Sequence, residues 1–441
     1  MFTSCRWLAA ALSALWLAAA AMADGDPPAP PAPIARPGPA ESDSARLDLS
    51  HVLRLTLARN PSIAVARATW QEARARAREA AALEPPMLDV AVGPSSFGAA
   101  SADRAWRVGV SQPLPLFGQR GLRERAARSE LRAAGLDLRG AQLDLLHEAR
   151  TAYFEYWRIA RAIELANELR GLVTEFRQGA LARYAAGLVG QQDPLRADAE
   201  LAMLDHRLDV LARERLLAAA RLDVLMHAAP DAPLPVPPRE LPLPDTTMVH
   251  ADLRAHALET RPELEAANAM VDAERANLAL ARRSAWPEPS LGVAYDRFMT
   301  EAPMRTSVSL DFALPALSGR LAAERALASA QLAGSLARRD VVRDSVALQV
   351  EEAATRLHEL AHDLSISRDR LVPLAERTVR AARAGYEANR GDFLGLIQSE
   401  RDLLQARLDA DETFAMLNEA RADLDRALGE DAELPGAEAM P

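Results

Sequence analysis

One set of punctuation marks occurs twice in this chain, and it constrains the fold more than any other feature. Ser111 to Arg120 reads SQPLPLFGQR, and Ser309 to Arg320 reads SLDFALPALSGR. Pro115 is matched by Pro315, Gly118 by Gly319 and Arg120 by Arg320. Upstream, Asn60-Pro61 is matched by Arg261-Pro262. Each pair is separated by about 200 residues, which is what an internal duplication leaves behind. Proline removes a backbone donor and glycine permits unusual dihedrals, so such corners resist free variation. The chain reads as two copies of one helix–hairpin–helix unit, residues 47–229 and 250–429, joined by a Pro-rich linker at 230–249.

Each copy changes its period in the same order. In the first, Leu47 to Arg59 is a short helical pattern that Ser50 is placed to cap. Pro61 opens a second helix toward Leu83, and Pro85-Pro86 stops it. Leu88, Val90 and Val92 then alternate with Asp89, Ala91 and Gly93, and Trp106, Val108 and Val110 with Arg107, Gly109 and Ser111. That period of two predicts a β-hairpin at about 87–113. A helix follows from Gly118 to about Gly179, and another from Leu195 to about Met226. The second copy repeats the order, with a hairpin at about 289–315 and a helix from Arg320 to about Arg383 that Pro373 should bend. A last helix runs from Asp392 to Leu428. The fold class is mainly α with short β-hairpins. Helices this long imply coiled-coil or bundle packing.

Composition narrows the class of function. The formal charge of −10, with lysine absent, gives no basic footprint for nucleic acid. Residues 1–23 read as a signal peptide: Arg6, an apolar run from Trp7 to Met22, and the small-x-small site Ala21-Met22-Ala23. A membrane anchor and a lipoprotein are the alternatives; the short apolar run and the early position of Cys5 weigh against them. Cys5 is the single cysteine, so the mature chain has neither a disulfide nor a cysteine metal site. Residues 24–46 form a Pro/Ala-rich tether, and 430–441 an acidic tail.

Two hairpins cannot close a barrel, and open strand edges are not tolerated in lipid. A membrane barrel needs at least eight strands, so more than one chain would have to contribute. An outward row of Thr306, Val308, Leu310 and Phe312 against an inward row of Arg305, Ser307, Ser309 and Asp311 fits a barrel with a wet lumen. A water-soluble β-subdomain is the competing reading.

Three stretches carry a family resemblance: VSQPLPLFGQRGL at Val110–Leu122, YAAGLVGQQDPLRADAEL at Tyr184–Leu201, and GYEANRGDFLGLIQSERDLL at Gly385–Leu404. With both repeats in order, the sequence resembles the TolC family of outer-membrane efflux channels, and within it the heavy-metal-efflux branch. The resemblance implies a homotrimer whose twelve-stranded transmembrane β-barrel stands above a long α-helical periplasmic barrel. It also implies outer-membrane lipid, a periplasmic adaptor (a membrane fusion protein) and an inner-membrane pump of the resistance–nodulation–division type as partners. No cofactor and no catalysis are implied.

In that frame the turns between long helices stand at the periplasmic entrance. Gly187 and Gly190 permit the first reversal, and Asp193 is placed to cap the helix entered at Pro194. Gly391 and Asp392 serve the second. Many members of the family carry two acids in a run like FLDLLDAQ after this turn. Here Phe393 to Glu400 reads FLGLIQSE, with Gly395 and Gln398 in the acidic places. Asp193, Asp392 and Glu400 are the candidate substitutes for that ring.

Two other function classes compete: a secreted coiled-coil adaptor or structural protein, and a metallopeptidase. The second rests on HELAH at His358–His362, which matches the H-E-x-x-H zinc pattern. It lies inside a long helical pattern with no persuasive third ligand, so solvated histidines are the expected reading.

Overall fold

The computed structural model describes residues 46–93, 105–246, 250–299, 305–312, 319–388 and 390–430. The expected signal peptide, nearly all of the 24–46 segment, Pro315 and the tail beyond Glu430 lie outside them. The first repeat contains α1 (Leu49–Arg59), α2 (Pro61–Ala81), β1 (Met87–Val92), β2 (Trp106–Pro113), α3 (Gln119–Ala185) and α4 (Gln192–Leu225). The second contains α5 (His250–Thr260), α6 (Pro262–Arg283), β3 (Pro289–Asp296), β4 (Thr306–Phe312) and α7 (Arg320–Ile366). A π-helical turn (Ser367–Leu371), α8 (Val372–Glu387) and α9 (Phe393–Leu428) complete it.

The matched Pro corners tie each repeat to its own end. Asn60 is extended, as a residue before proline should be, and its Oδ1 accepts from the Ser62 N–H at 2.9 Å. Its Nδ2 donates to the Leu225 carbonyl at the end of α4, at 2.9 Å. Arg261 is likewise extended, and its Nη1 donates to the Arg426 carbonyl near the end of α9, at 2.6 Å. Both helix ends close with a left-handed residue, His227 at φ 56° and Gly429 at φ 75°. The Ala228 N–H bonds the Asp223 carbonyl and the Glu430 N–H the Asp425 carbonyl, the six-to-one bond of a Schellman ending.

Several local expectations change. Ser50 lies inside α1 rather than at its cap; Asp48 holds that position, and Ser50 Oγ donates to its carboxylate. The long helix α3 passes Gly179 and runs 67 residues to Ala185. A helical glycine costs about 1 kcal/mol against alanine, a cost small enough for a long packed helix to pass through, and Ala180 beside it is fully buried. Pro373 does more than bend its helix. Lacking an N–H, it displaces the turn before it: the Val372 N–H reaches back to the Ser367 carbonyl, the five-residue step of a π-helix.

The main core lies where both repeats meet, around Tyr153, Trp157, Leu222, Phe414, Leu417 and Leu424. The Pro-rich linker is strapped onto it. Its carbonyls accept from Tyr156 Oη (Pro235, 3.3 Å) and Trp157 Nε1 (Pro238, 2.9 Å). A second cluster, with Val173, Ala180, Ala197, Phe393 and Ile397, packs the ends of the long helices near the two helical turns.

The four strands form one antiparallel sheet in the order β1-β2-β3-β4, so β2 and β3 join the two repeats. Among the described residues no helix is long and apolar enough to cross a membrane.

Candidate channel sites

The sheet sorts its side chains by face. Leu88, Val110, Val293 and Val308 stand in one cross-strand row, and Gln112, Leu291 and Leu310 in another. The opposite face carries Asp89, Gly109, Ala294 and Ser307 in one row, and Met87, Ser111, Gly292 and Ser309 in the next. The apolar face is uncovered: Val308 is 70% and Val90 57% exposed. Ser307, Ser309 and Asp311 therefore share the polar, small-residue face, with Arg305 just ahead of β4.

At the corner from sheet to helix, Pro115 is the centre of a tight turn closed by the Leu116 N–H on the Leu114 carbonyl at 2.8 Å. Gly118 is left-handed at φ 74°, and a Cβ there would lie 2.5 Å from the Arg283 guanidinium. Gln119 donates to the Arg283 carbonyl at 3.1 Å and Arg120 to the Ala81 carbonyl at 2.7 Å. The start of α3 thus supplies donors to the open C-terminal ends of α6 and α2. Gly319 departs from its mate. It is right-handed at φ −63°, and among the described residues nothing lies where a Cβ would go, so its backbone does not require glycine. Pro315, its expected partner, lies outside the described residues.

At the helical turns, Gly187 is left-handed at φ 71°. Asp193 does not cap α4; Gln191 holds that position and Asp193 is buried in the first turn. Gly391 packs backbone on backbone, with its would-be Cβ 3.2 Å from the Gly385 carbonyl carbon. Asp392 does cap α9, accepting from the Gly395 N–H at 3.3 Å. Glu400 is 3% exposed and paired with Arg383 at 2.9 Å, so it offers no free charge. Gly395 and Gln398 are both exposed, and Gln398 Nε2 donates to Asp402 at 2.8 Å.

Both halves of the chain match a family model described as outer membrane efflux protein, over residues 52–226 and 253–430. The chain belongs to that family. Cobalt-zinc-cadmium resistance protein CzcC of Cupriavidus metallidurans is 23% identical over 341 residues, 72% of this chain and 75% of that protein. The fold is TolC-like. A crystal structure of CusC matches it with a TM-score of 0.75 at 19% identity, over 87% of this chain and 92% of that one. The outer membrane protein VceC of Vibrio cholerae matches with 0.73 at 20%, over 87% and 96%.

As an outer-membrane efflux protein the chain is a channel component and a passive conduit, not an enzyme. His358, Glu359 and His362 are all exposed on α7. Among the described residues no group of three or more His, Cys, Asp or Glu could hold a metal ion.

Several contacts of this efflux protein have no local sequence signature. Arg183 Nη1 donates to the Tyr386 carbonyl at 3.2 Å, with its guanidinium 4.5 Å from that ring's centre. Arg401 on α9 pairs with buried Glu200 on α4. Both link the α3–α4 turn to the α8–α9 turn. The one available signal was that Glu200 and Arg401 are themselves about one repeat length apart. Arg261 is buried, which lowers its pKa, and it is answered by Glu263 at 2.9 Å.

Proposed function

We propose that three copies of this chain close a twelve-stranded barrel in the outer membrane and continue it into the periplasm as a helical duct. The sheet carries this reading. Among the described residues it has an uncovered apolar face, a polar and small-residue face, and two unpaired edges, β1 and β4. An open edge in lipid leaves backbone groups unsatisfied at several kcal/mol each. Pairing β4 of one copy with β1 of the next removes every edge. Arg305, Ser307, Ser309 and Asp311 then face the lumen. The likeness to solved channels of the same fold supports this arrangement.

The duct serves a periplasmic adaptor and an inner-membrane pump of the resistance–nodulation–division type, and its cargo is heavy-metal cations. The metal reading draws on the likeness to CzcC, which is named for cobalt, zinc and cadmium resistance. A wide wet lumen discriminates mainly by size and charge, so cargo choice belongs to the pump. A deletion strain, complemented with this chain, tests both parts. Restored growth on cobalt, zinc or cadmium supports metal cargo. Restored tolerance to organic toxicants alone refutes it while leaving the duct intact.

A further inference from the structure

His358 and His362 have no role in the packing of the fold. They are the only two histidines of the eight that stand four residues apart. Both lie inside α7, and both are exposed. Four residues along an α-helix bring two side chains onto one face, with Cβ atoms about 5–6 Å apart. The inner side of the same stretch is anchored. Val350, Ala353, Ala354, Leu357 and Leu364 are buried in the main core. The helix is therefore fixed before any ligand arrives, which lowers the ordering cost of binding.

Two other histidines are committed to carboxylates: His147 Nε2 lies 2.6 Å from Asp423, and His256 Nε2 lies 2.7 Å from Glu430. Among the described residues neither His358 nor His362 makes a side-chain hydrogen bond or ion pair. The surroundings favour a cation. From Glu351 to Asp363 the exposed acids are Glu351, Glu352, Glu359 and Asp363, against the single arginine Arg356, whose Nη1 is 3.8 Å from Asp423. Such a local excess of negative charge concentrates cations. Imidazole nitrogen then selects among them: it suits the late first-row metals, whereas magnesium and calcium prefer oxygen. Metal–nitrogen bonds of about 2.0–2.1 Å are within reach of two rings on adjacent turns. Among the described residues no group of three ligands forms, so water would fill the remaining positions.

We propose that His358 and His362 form a two-imidazole site, on the exposed face of α7, for a divalent cation of the cobalt, nickel, copper and zinc class. One ring nitrogen from each histidine and several waters hold the ion. Two protein ligands make a weak, exchanging site, in contrast to the closed four-ligand sites that retain structural zinc. A site of that kind suits a surface along which ions pass. Its use as a stopping point for cargo rests on the metal-cargo reading above; the binding itself does not.

The test titrates cupric ion into the full mature protein in detergent and reads it by electron paramagnetic resonance. The signal of the pair is the native spectrum minus that of the double variant His358→Gln with His362→Gln. Both positions are exposed, and equal thermal midpoints without metal check that the variant folds; the two single variants give an independent reading. The difference spectrum should show two coupled nitrogens on one ion per chain. Each single variant should show one, and bind at least about tenfold more weakly, because the second ring no longer adds its local concentration. Native and double-variant proteins that bind cupric ion alike overturn the site, as does a difference spectrum with a single coupled nitrogen. The complemented deletion strain separates use from site. Poorer growth on zinc or cobalt with the double variant than with the native chain supports the stopping point. Equal growth refutes it and leaves the site standing. If the native chain itself restores no metal tolerance, the cargo reading fails and the stopping point with it, while the resonance result still decides the site.

Discussion

Arg383 holds Glu400 in an ion pair of 2.9 Å, and Glu400 is almost wholly buried. The acid that sequence alone offered as an entrance charge is therefore committed within its own chain. Removing one partner of a buried pair leaves the other uncompensated. Arg383 is partly exposed and also lies over the Phe176 ring, which softens the loss. Glu400→Gln should lower stability by about 1–3 kcal/mol, read by thermal denaturation, and should leave cation block of the channel unchanged. Altered block with unaltered stability would place Glu400 in the passage.

Of the three candidate acids, Glu400 and Asp193 are buried, and Asp392 is exposed but caps α9. Single-channel current in planar bilayers should show weak block by a trivalent cation added on the periplasmic side. Gln398→Asp, at an exposed position, should strengthen that block, and more so at low salt. It is a cleaner variant than Gly395→Asp, whose Cβ would lie 2.9 Å from the capping carboxylate of Asp392. Tight block in the native protein, unchanged by Gln398→Asp, would mean that other acids form the ring.

The matched glycines give opposite expectations. Gly118→Val forces a β-branched residue into the left-handed region, at about 1–2 kcal/mol, and drives its Cβ into Arg283. Gly319→Val sits at an ordinary φ of −63° and meets no described residue. The yield of folded oligomer should fall for the first and hold for the second. Equal yields would remove the special role of Gly118.

That contrast shows where sequence stops. The duplication, the hairpins and the long helices were legible because proline, glycine and a change of period are local signals. Gly118 and Gly319 look alike in sequence, yet the first is left-handed and the second right-handed, a difference that local residue identity does not carry. Glu400 was visible as an acid near a turn, but its burial depends on α8 folding back over α9. Asp193 read as a cap because it precedes Pro194, whereas α4 begins two residues earlier, at Gln192. Partners joined across the two repeats, such as Arg401 and Glu200, carry no local signal beyond their one-repeat spacing.

Asp223 is a buried carboxylate with no hydrogen-bond partner on either oxygen among the described residues. Burial first, and then the charge of Asp231, push its pKa up to about 6. The folded protein therefore binds this proton more tightly than the unfolded chain. The resulting stabilisation is full below the ordinary carboxylate pKa and is lost as pH rises through about 6. Asp223→Asn should stabilise the protein at pH 7–8 by on the order of 1–3 kcal/mol, with the advantage gone near pH 4. Denaturation midpoints across that range check it, and a pH-independent difference would contradict it.

The two faces of β4 should answer differently to charge. Val308→Arg puts a guanidinium on the apolar face, at about 2–4 kcal/mol in mid-membrane, and should block insertion. Ser307→Arg should insert and change conductance. Equal insertion of both would overturn the assignment of faces.

The number of chains around the barrel tests the central claim most directly. Native mass spectrometry of the protein extracted from outer membranes measures it without reference to cargo or partners. Three copies are expected, closing twelve strands from a four-stranded sheet in each. A predominant dimer or monomer, carrying conductance in planar bilayers, would contradict it.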